Sequence, residues 1–315
     1  MGRRALIAIG GNSLIKDKLH QSVRDQYIAA GETCGHIAGM IVDGWDVAIT
    51  HGNGPQVGFI LRRSEIASKE LHEVPLDVAG ADSQGAIGYA LQQNLYNDFA
   101  RLGLKKQAVT VVTQTEVAAD DPAFQAPSKP IGSYMEEEEA VRRRDQQGWV
   151  IMEDAGRGWR RVVASPQPVR IVEEDAIKDL LDHGFVVISV GGGGIPVIRM
   201  ASGDLEGVAA VIDKDRASAL LASGIGAELF IISTAVEKVA LNWGKPNQEW
   251  VDRLSLPEVK ALLAEGAHFA EGSMAPKMEA VVSYLERGGQ EALITNPESV
   301  ERAMRGETGT RIVPR

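Results

Sequence analysis

One cysteine, Cys34, stands in the whole chain of 315 residues, so no intrachain disulfide can form. That fits a reducing compartment, and a cytoplasmic location is expected. His36 lies nearby, but no second Cys/His cluster completes a zinc site, and a buried structural thiol is expected. No apolar run reaches the ~18 residues that span a bilayer. The first apolar stretch is too short for a signal peptide and runs straight into glycine, so it reads as a core strand of a soluble protein with no membrane contact. The net charge is -10 and a dense Lys/Arg stripe is missing, which argues against a nucleic-acid partner. Arg142, Arg143 and Arg144 are the densest basic run; Glu136 to Glu139 precede them, and at helical spacing these pair on a solvated face. Several catalytic signatures are absent too: G-x-x-x-x-G-K-[ST], H-E-x-x-H and G-x-S-x-G. The stretch Gly52 to Gly58 misses the dinucleotide fingerprint by one residue.

What the chain does have is glycine at the ends of short apolar runs. Ala5–Ile9 runs into Gly10-Gly11-Asn12, Val47–His51 into Gly52-Asn53-Gly54, and Phe185–Val190 into Gly191 to Gly194. A strand that ends in glycine and enters a helix leaves backbone N–H groups pointing outward, and the helix dipole makes them an anion site. One such turn is as readily structural, serving tight packing. Three together predict a site for a highly charged substrate, a phosphate compound.

Strands alternate with helices through the first third and again after residue 169, which predicts a mostly parallel sheet covered on both faces. Residues 118–168 break the rhythm. They hold five prolines, the Glu/Arg run and a hairpin pattern over 149–153 and 160–163. This segment reads as an inserted flap on one domain spanning 1–315, since fifty residues are few for independent folding.

Three lysines sit in stiff contexts that lower the entropy of placing an ammonium group. Lys129 lies between Pro127 and Pro130, Lys214 between Asp213 and Asp215, and Lys277 follows Ser273 and Pro276 at a helix start. Taken singly, each is as well explained as a solvated lysine. Phosphoryl transfer needs this kit, because its catalysis is mostly positioning and electrostatic stabilisation. No histidine stands in a convincing base context; His51 precedes Gly52 but can simply end its strand. That points to an acceptor already anionic at neutral pH, a carboxylate or carbamate, although a base supplied by the insert stays open.

Together Gly10-Gly11-Asn12-Ser13-Leu14, His51 to Gly58, Ser128 to Gly132, Ala164 to Pro168, Gly191 to Val197, Val211 to Asp215 and Ala270 to Met278 resemble the carbamate kinases of the amino-acid kinase superfamily, collinearly from about residue 5 onward. The resemblance implies an α/β fold: a three-layer αβα sandwich on a mainly parallel eight-stranded sheet, with a protruding β-rich subdomain. It implies a homodimer and reversible transfer between ATP and carbamate, giving ADP and carbamoyl phosphate, run toward ATP synthesis in arginine catabolism. By carry-over, Gly10, Gly11, Asn12, Gly52, Asn53 and Gly54 hold the acceptor or the phosphoryl group, with Arg157 of the flap as a further anion candidate. Lys129, Lys214, Asp215 and Lys277 are the catalytic set. Gly191, Gly192, Ser233, Thr234, Ser273, Met274 and Lys277 bind nucleotide, and Mg²⁺ rides on its phosphates with no protein metal site. Two departures stand out: Ser13 where alanine is common, and no aspartate or glycine after Thr234. Rival readings are an acyl-phosphate kinase for an amino-acid carboxylate, and a catalytically silent ligand sensor.

Overall fold

The computed structural model describes every residue except Met1, Asn12, Ser13, Lys16, Lys18, Ala155 and Glu271. Among the described residues, eight strands form the main sheet: β1 (Arg3–Ile9), β2 (Trp45–His51), β3 (Ala108–Thr110), β4 (Val186–Ile188), β5 (Leu229–Ser233), β6 (Arg253–Ser255), β7 (Glu291–Thr295) and β8 (Thr310–Val313). Their spatial order is β6-β8-β7-β5-β1-β2-β4-β3, and only the β7/β8 junction is antiparallel.

Side chains of β1 alternate faces, as the two-residue period of a strand requires. Ala5, Ile7 and Ile9 enter one core with Ile37 of α1 (Val23–Val42) and Leu95 of a second helix, Leu76–Leu102. Leu6 and Ala8 enter the opposite core with Leu221 and Val281, from helices Lys214–Gly224 and Met274–Glu286. A sheet apolar on both faces must be covered on both, so the three-layer αβα arrangement follows. In chain order those helices are α3 (Leu76–Leu102), α6 (Lys214–Gly224) and α8 (Met274–Glu286); between them lie α2 (Gly54–Ala67), α4 (Glu137–Gln147), α5 (Glu174–Asp182) and α7 (Leu256–Glu265). Ser22 caps α1 with a reciprocal Asp25 bond, and Gly103 ends α3 in the left-handed conformation. Cys34 is buried in the α1 core, where burial pushes its thiol pKa up.

The flap segment carries a three-stranded sheet of Lys129–Met135, Val150–Glu153 and Trp159–Val163, packed with α4. The hairpin pairs Val150 with Val162 and Glu153 with Trp159. A further sheet, of Gln114–Val117, Pro168–Ile171, Ile195–Arg199 and Leu205–Gly207, has no counterpart in the sequence reading. Its first two strands pair Thr115 with Ile171, so the chain enters and leaves the flap side by side.

The glycine turns need correction. Among the described residues, only Gly52-Asn53-Gly54 feeds an α-helix directly, α2. After Gly11 the next described helix is α1, which begins at Val23. After Gly194 the chain becomes the strand Ile195–Arg199, because Gly192, Gly193 and Gly194 all take φ near +67°, +92° and +89° and cannot continue a right-handed helix.

The α3 backbone presses on β3. A Cβ added at Gly88 would stand 2.2 Å from Thr110 Cγ2. Helix propensity favours alanine by about 1 kcal/mol, whereas overpacking costs roughly 1–3 kcal/mol. Gly88→Ala should therefore lower urea-unfolding stability; an unchanged midpoint would show that this contact has slack.

Candidate active site

Three strands of the sheet end at one edge: Ile9 pairs with Ser233 on one side and His51 on the other. Ligands in open α/β sheets bind at such carboxyl ends. Gly10 N–H donates to Ser233 O at 3.1 Å and Gly52 N–H to Ile9 O at 3.0 Å, so these two amides extend the ladder and are not free donors. Among the described residues, the N–H groups of Gly11, Asn53 and Gly54 have no protein acceptor. Asn53 occupies the N-cap position of α2 without capping it; its Nδ2 donates to Ser83 Oγ at 2.8 Å. The open end of α2 therefore presents its N–H groups outward. Gly52 lets the two turns approach closely: a Cβ there would lie 3.3 Å from Gly11 N and 3.6 Å from Lys214 Cδ. Asn12 lies outside the described residues.

The start of α6 assembles the charges. Asp213 is its N-cap, accepting from the N–H groups of Asp215 at 2.9 Å and Arg216 at 3.3 Å. Its other oxygen takes Lys129 Nζ from the flap at 3.2 Å. Asp215, the second residue of α6 and 3% exposed, accepts Lys214 Nζ at 2.5 Å and Lys277 Nζ at 3.1 Å. Lys277 arrives on α8, which packs along α6. Burial would raise the Asp215 carboxyl, but the charges of Lys214 and Lys277 outweigh it and hold the pKa below the usual carboxylate value. The three lysines, widely separated in sequence, thus meet on two carboxylates a residue apart.

Three hollows are lined by residues of this cluster. A cleft of about 530 Å³ runs past Gly10, Gly11, Lys214, Thr234 and Lys277. A cavity of about 130 Å³ holds Asn53, Gly54, Lys129, Arg160 and Gly192. A pocket of about 200 Å³ continues from Thr234 and Lys277 to Trp243, Phe269, Ser273 and Met274. Gly192 thus stands on the Lys129 side, with Asn53 packed against it, and not beside Thr234. Gly191 is buried, and its carbonyl accepts from Gln84 Nε2 at 3.0 Å. Ser233 is buried beneath the edge; its carbonyl takes the Gly10 bond.

Arg157 falls outside these hollows. It sits at the hairpin turn, paired with Asp154 at 2.7 Å and with its side chain 65% exposed. The flap guanidinium that lines the Lys129 cavity belongs to Arg160, which donates to Gly132 O at 3.1 Å and stacks 5.2 Å from the Tyr134 ring centre. The sequence held the basic doublet Arg160-Arg161 as a signal, but not which side chain faces inward. Asp213 and Trp243 were missed likewise.

His51 is buried beneath the edge, and burial pushes its pKa down to about 4. It is a neutral imidazole, donating from Nδ1 to Gly52 O at 3.0 Å. As for metals, among the described residues no three His, Cys, Asp or Glu side chains gather as a ligand set. Both Asp215 oxygens are already occupied by ammonium groups.

The amino acid kinase family model matches residues 3–296. The chain belongs to this family. It is 50% identical to the carbamate kinase-like protein YahI of Escherichia coli, over 99% of both chains. It is 44% identical to the carbamate kinase of Thermococcus kodakarensis, again over 99% of each. Among solved structures, the carbamate kinase of Giardia lamblia bound to AMP-PNP superimposes with a TM-score of 0.93 at 39% identity, covering 99% of this chain and 98% of that one. The mainly parallel sheet flanked by helices is shared with this family member.

A depressed histidine pKa has a definite sign in folding. The unfolded state binds the proton below 6.5, whereas the folded state resists it until about 4. Stability from this group is complete above pH 6.5 and is lost as the pH falls toward 4, with a full span of roughly 3 kcal/mol. Urea titrations across that window should show the slope, and His51→Gln should flatten it. An equal slope in the variant would remove His51 as its source.

Proposed function

We propose that this family member is a carbamate kinase, moving a phosphoryl group reversibly between ATP and carbamate. The observation that carries the reading is the convergence of Lys129, Lys214 and Lys277 on Asp213 and Asp215, beside the open amides of Gly11, Asn53 and Gly54. In this reading Lys214 and Lys277 neutralise the phosphoryl group in flight, and Asp215 fixes both ammonium groups. Lys129 and Arg160 hold carbamoyl phosphate from the flap side with Asn12 and the open amides of Gly11, Asn53 and Gly54, while Gly10 and Gly52, whose amides are taken, shape the edge. The acceptor is anionic before it reacts, which removes the need for a general base; the buried, neutral His51 supports that. The nucleotide lies along Thr234, Ser273, Met274 and Lys277, its base in the apolar pocket with Trp243 and Phe269. Mg²⁺ is held through the nucleotide phosphates, and the physiological direction is toward ATP.

The reading includes a homodimer in the cytoplasm. Support for self-association is an exposed apolar strip on α1 and α3, with Val23, Ile28, Tyr89 and Tyr96 at the surface. No described helix is long and apolar enough to cross a membrane.

Purified protein given ADP and carbamoyl phosphate should form ATP. No ATP, with turnover of an amino-acid acyl phosphate instead, would replace this reading by the rival kinase. Lys214→Ala should lower kcat at least ~100-fold, the size seen when a transition-state charge partner is removed; full activity would refute its role. Trp243→Ala should raise the KM for ADP several-fold with kcat nearly unchanged, because base contacts are equal in ground and transition states. A matched loss in kcat would place the ring elsewhere in the mechanism.

A further inference from the structure

The flap holds another cavity, of about 370 Å³, walled by α2, the strand Lys129–Met135, α4, Trp149 and Arg161. Nothing in the phosphoryl transfer described above uses it. Its charged lining is Arg62, Glu65, Glu136, Glu139, Arg143 and Arg161. Two of the guanidinium groups are matched: Arg62 meets Glu65 at 3.1 Å, and Arg143 meets Glu139 at 2.7 Å and Glu65 at 3.4 Å. Arg161 differs. Among the described residues its side chain has no hydrogen bond and no ion pair; its guanidinium carbon rests 4.8 Å from the Trp149 ring centre, as does that of Arg143.

The position is built, not loose. Arg161 lies in the strand Trp159–Val163, paired with Ile131 on one side and Ile151 on the other. Burial pushes its pKa down, and the more distant charges of Glu65 and Glu73 only partly restore it. This half-buried guanidinium has no protein acceptor among the described residues, and its fork of N–H donors matches a planar two-oxygen anion. The rest of the lining decides which anion. Three glutamates disfavour a dianion such as phosphate. Leu61, Ile131, Met135 and Trp149 offer an apolar wall for a hydrocarbon body.

We propose that this cavity binds a small organic monocarboxylate, its two oxygens on the Arg161 fork and its hydrocarbon body against Leu61, Met135 and Trp149. Ile131 lines both this cavity and the one beside Lys129, so an occupant rests against the wall that seats the flap over the cluster. The site does not depend on the kinase reading.

Calorimetric titration of the intact protein with 4-methylpentanoate tests it, with inorganic phosphate as the comparison. Millimolar binding of one carboxylate per chain is expected, stronger than phosphate. Lys129→Ala should leave it unchanged, which separates it from anion binding at the lysine cluster. Arg161→Gln should weaken it at least about tenfold, and Arg161→Lys should weaken it as well, because a point charge lacks the fork. Thermal unfolding checks both variants; if the glutamine form is unfolded, the lysine form decides. No binding at millimolar concentration, tighter binding of phosphate, or unaltered binding after Arg161 is replaced would each overturn the proposal.

Discussion

The shared carboxylate of Asp215 is the constraint on which the rest of the site depends. Two ammonium groups on one carboxylate repel each other, by a few kcal/mol at the effective dielectric of a partly buried site. The arrangement persists because a charge of opposite sign sits between them, buried and held ionised by the pair it binds. Removing that carboxylate would do more than delete two hydrogen bonds. It would leave two like charges with no reason to stay together. Asp215 in turn has its place because Asp213 caps α6 and fixes the first turn of the helix. Three ammonium groups against two carboxylates leave the cluster net positive, so an anion entering the cleft completes the charge pattern.

The sheet explains why the cluster forms where it does. Parallel strands end at a common edge, and β1, β2 and β5 end in register. Their terminal amides continue the ladder by one step, through Gly10 and Gly52, before the chain turns away. Rigidity at this edge comes from the strands. The flap contributes more loosely. Lys129 meets Asp213 across a contact whose lysine side chain is 40% exposed, and pairs of that kind contribute only ~0–1 kcal/mol. That tether is the weaker one; Lys214 and Lys277, far less exposed, are held more firmly on Asp215.

Much of this was legible from the residues alone. The apolar runs of β1, β2 and β5 are long enough to read, and their period of two separates the cores. The lysines were legible because proline, glycine and aspartate around them restrict the chain. What escaped is physical in origin. Strands of three residues, such as Arg253–Ser255 and Leu205–Gly207, are too short to carry a period. Ile195–Arg199 follows glycines that elsewhere begin a helix, and only their positive φ values rule the helix out. Arg160 and Arg157 differ by which way a twisted hairpin points each guanidinium, and that is settled by partners across the ladder. Whether a glycine amide is free also depends on a neighbour: Ser233 and Ile9 took two that the sequence alone left open.

The buried histidine bears on the chemistry as well as on stability. A general base at this edge would have to accept a proton near neutral pH. His51 cannot, because its imidazole lies beneath the surface and burial favours the neutral form down to about pH 4. Asp215 is no better placed: both its oxygens hold ammonium groups, and a proton would have to displace one of them. With His51 and Asp215 both unsuited to take a proton, the lysine cluster suits a nucleophile that arrives already ionised.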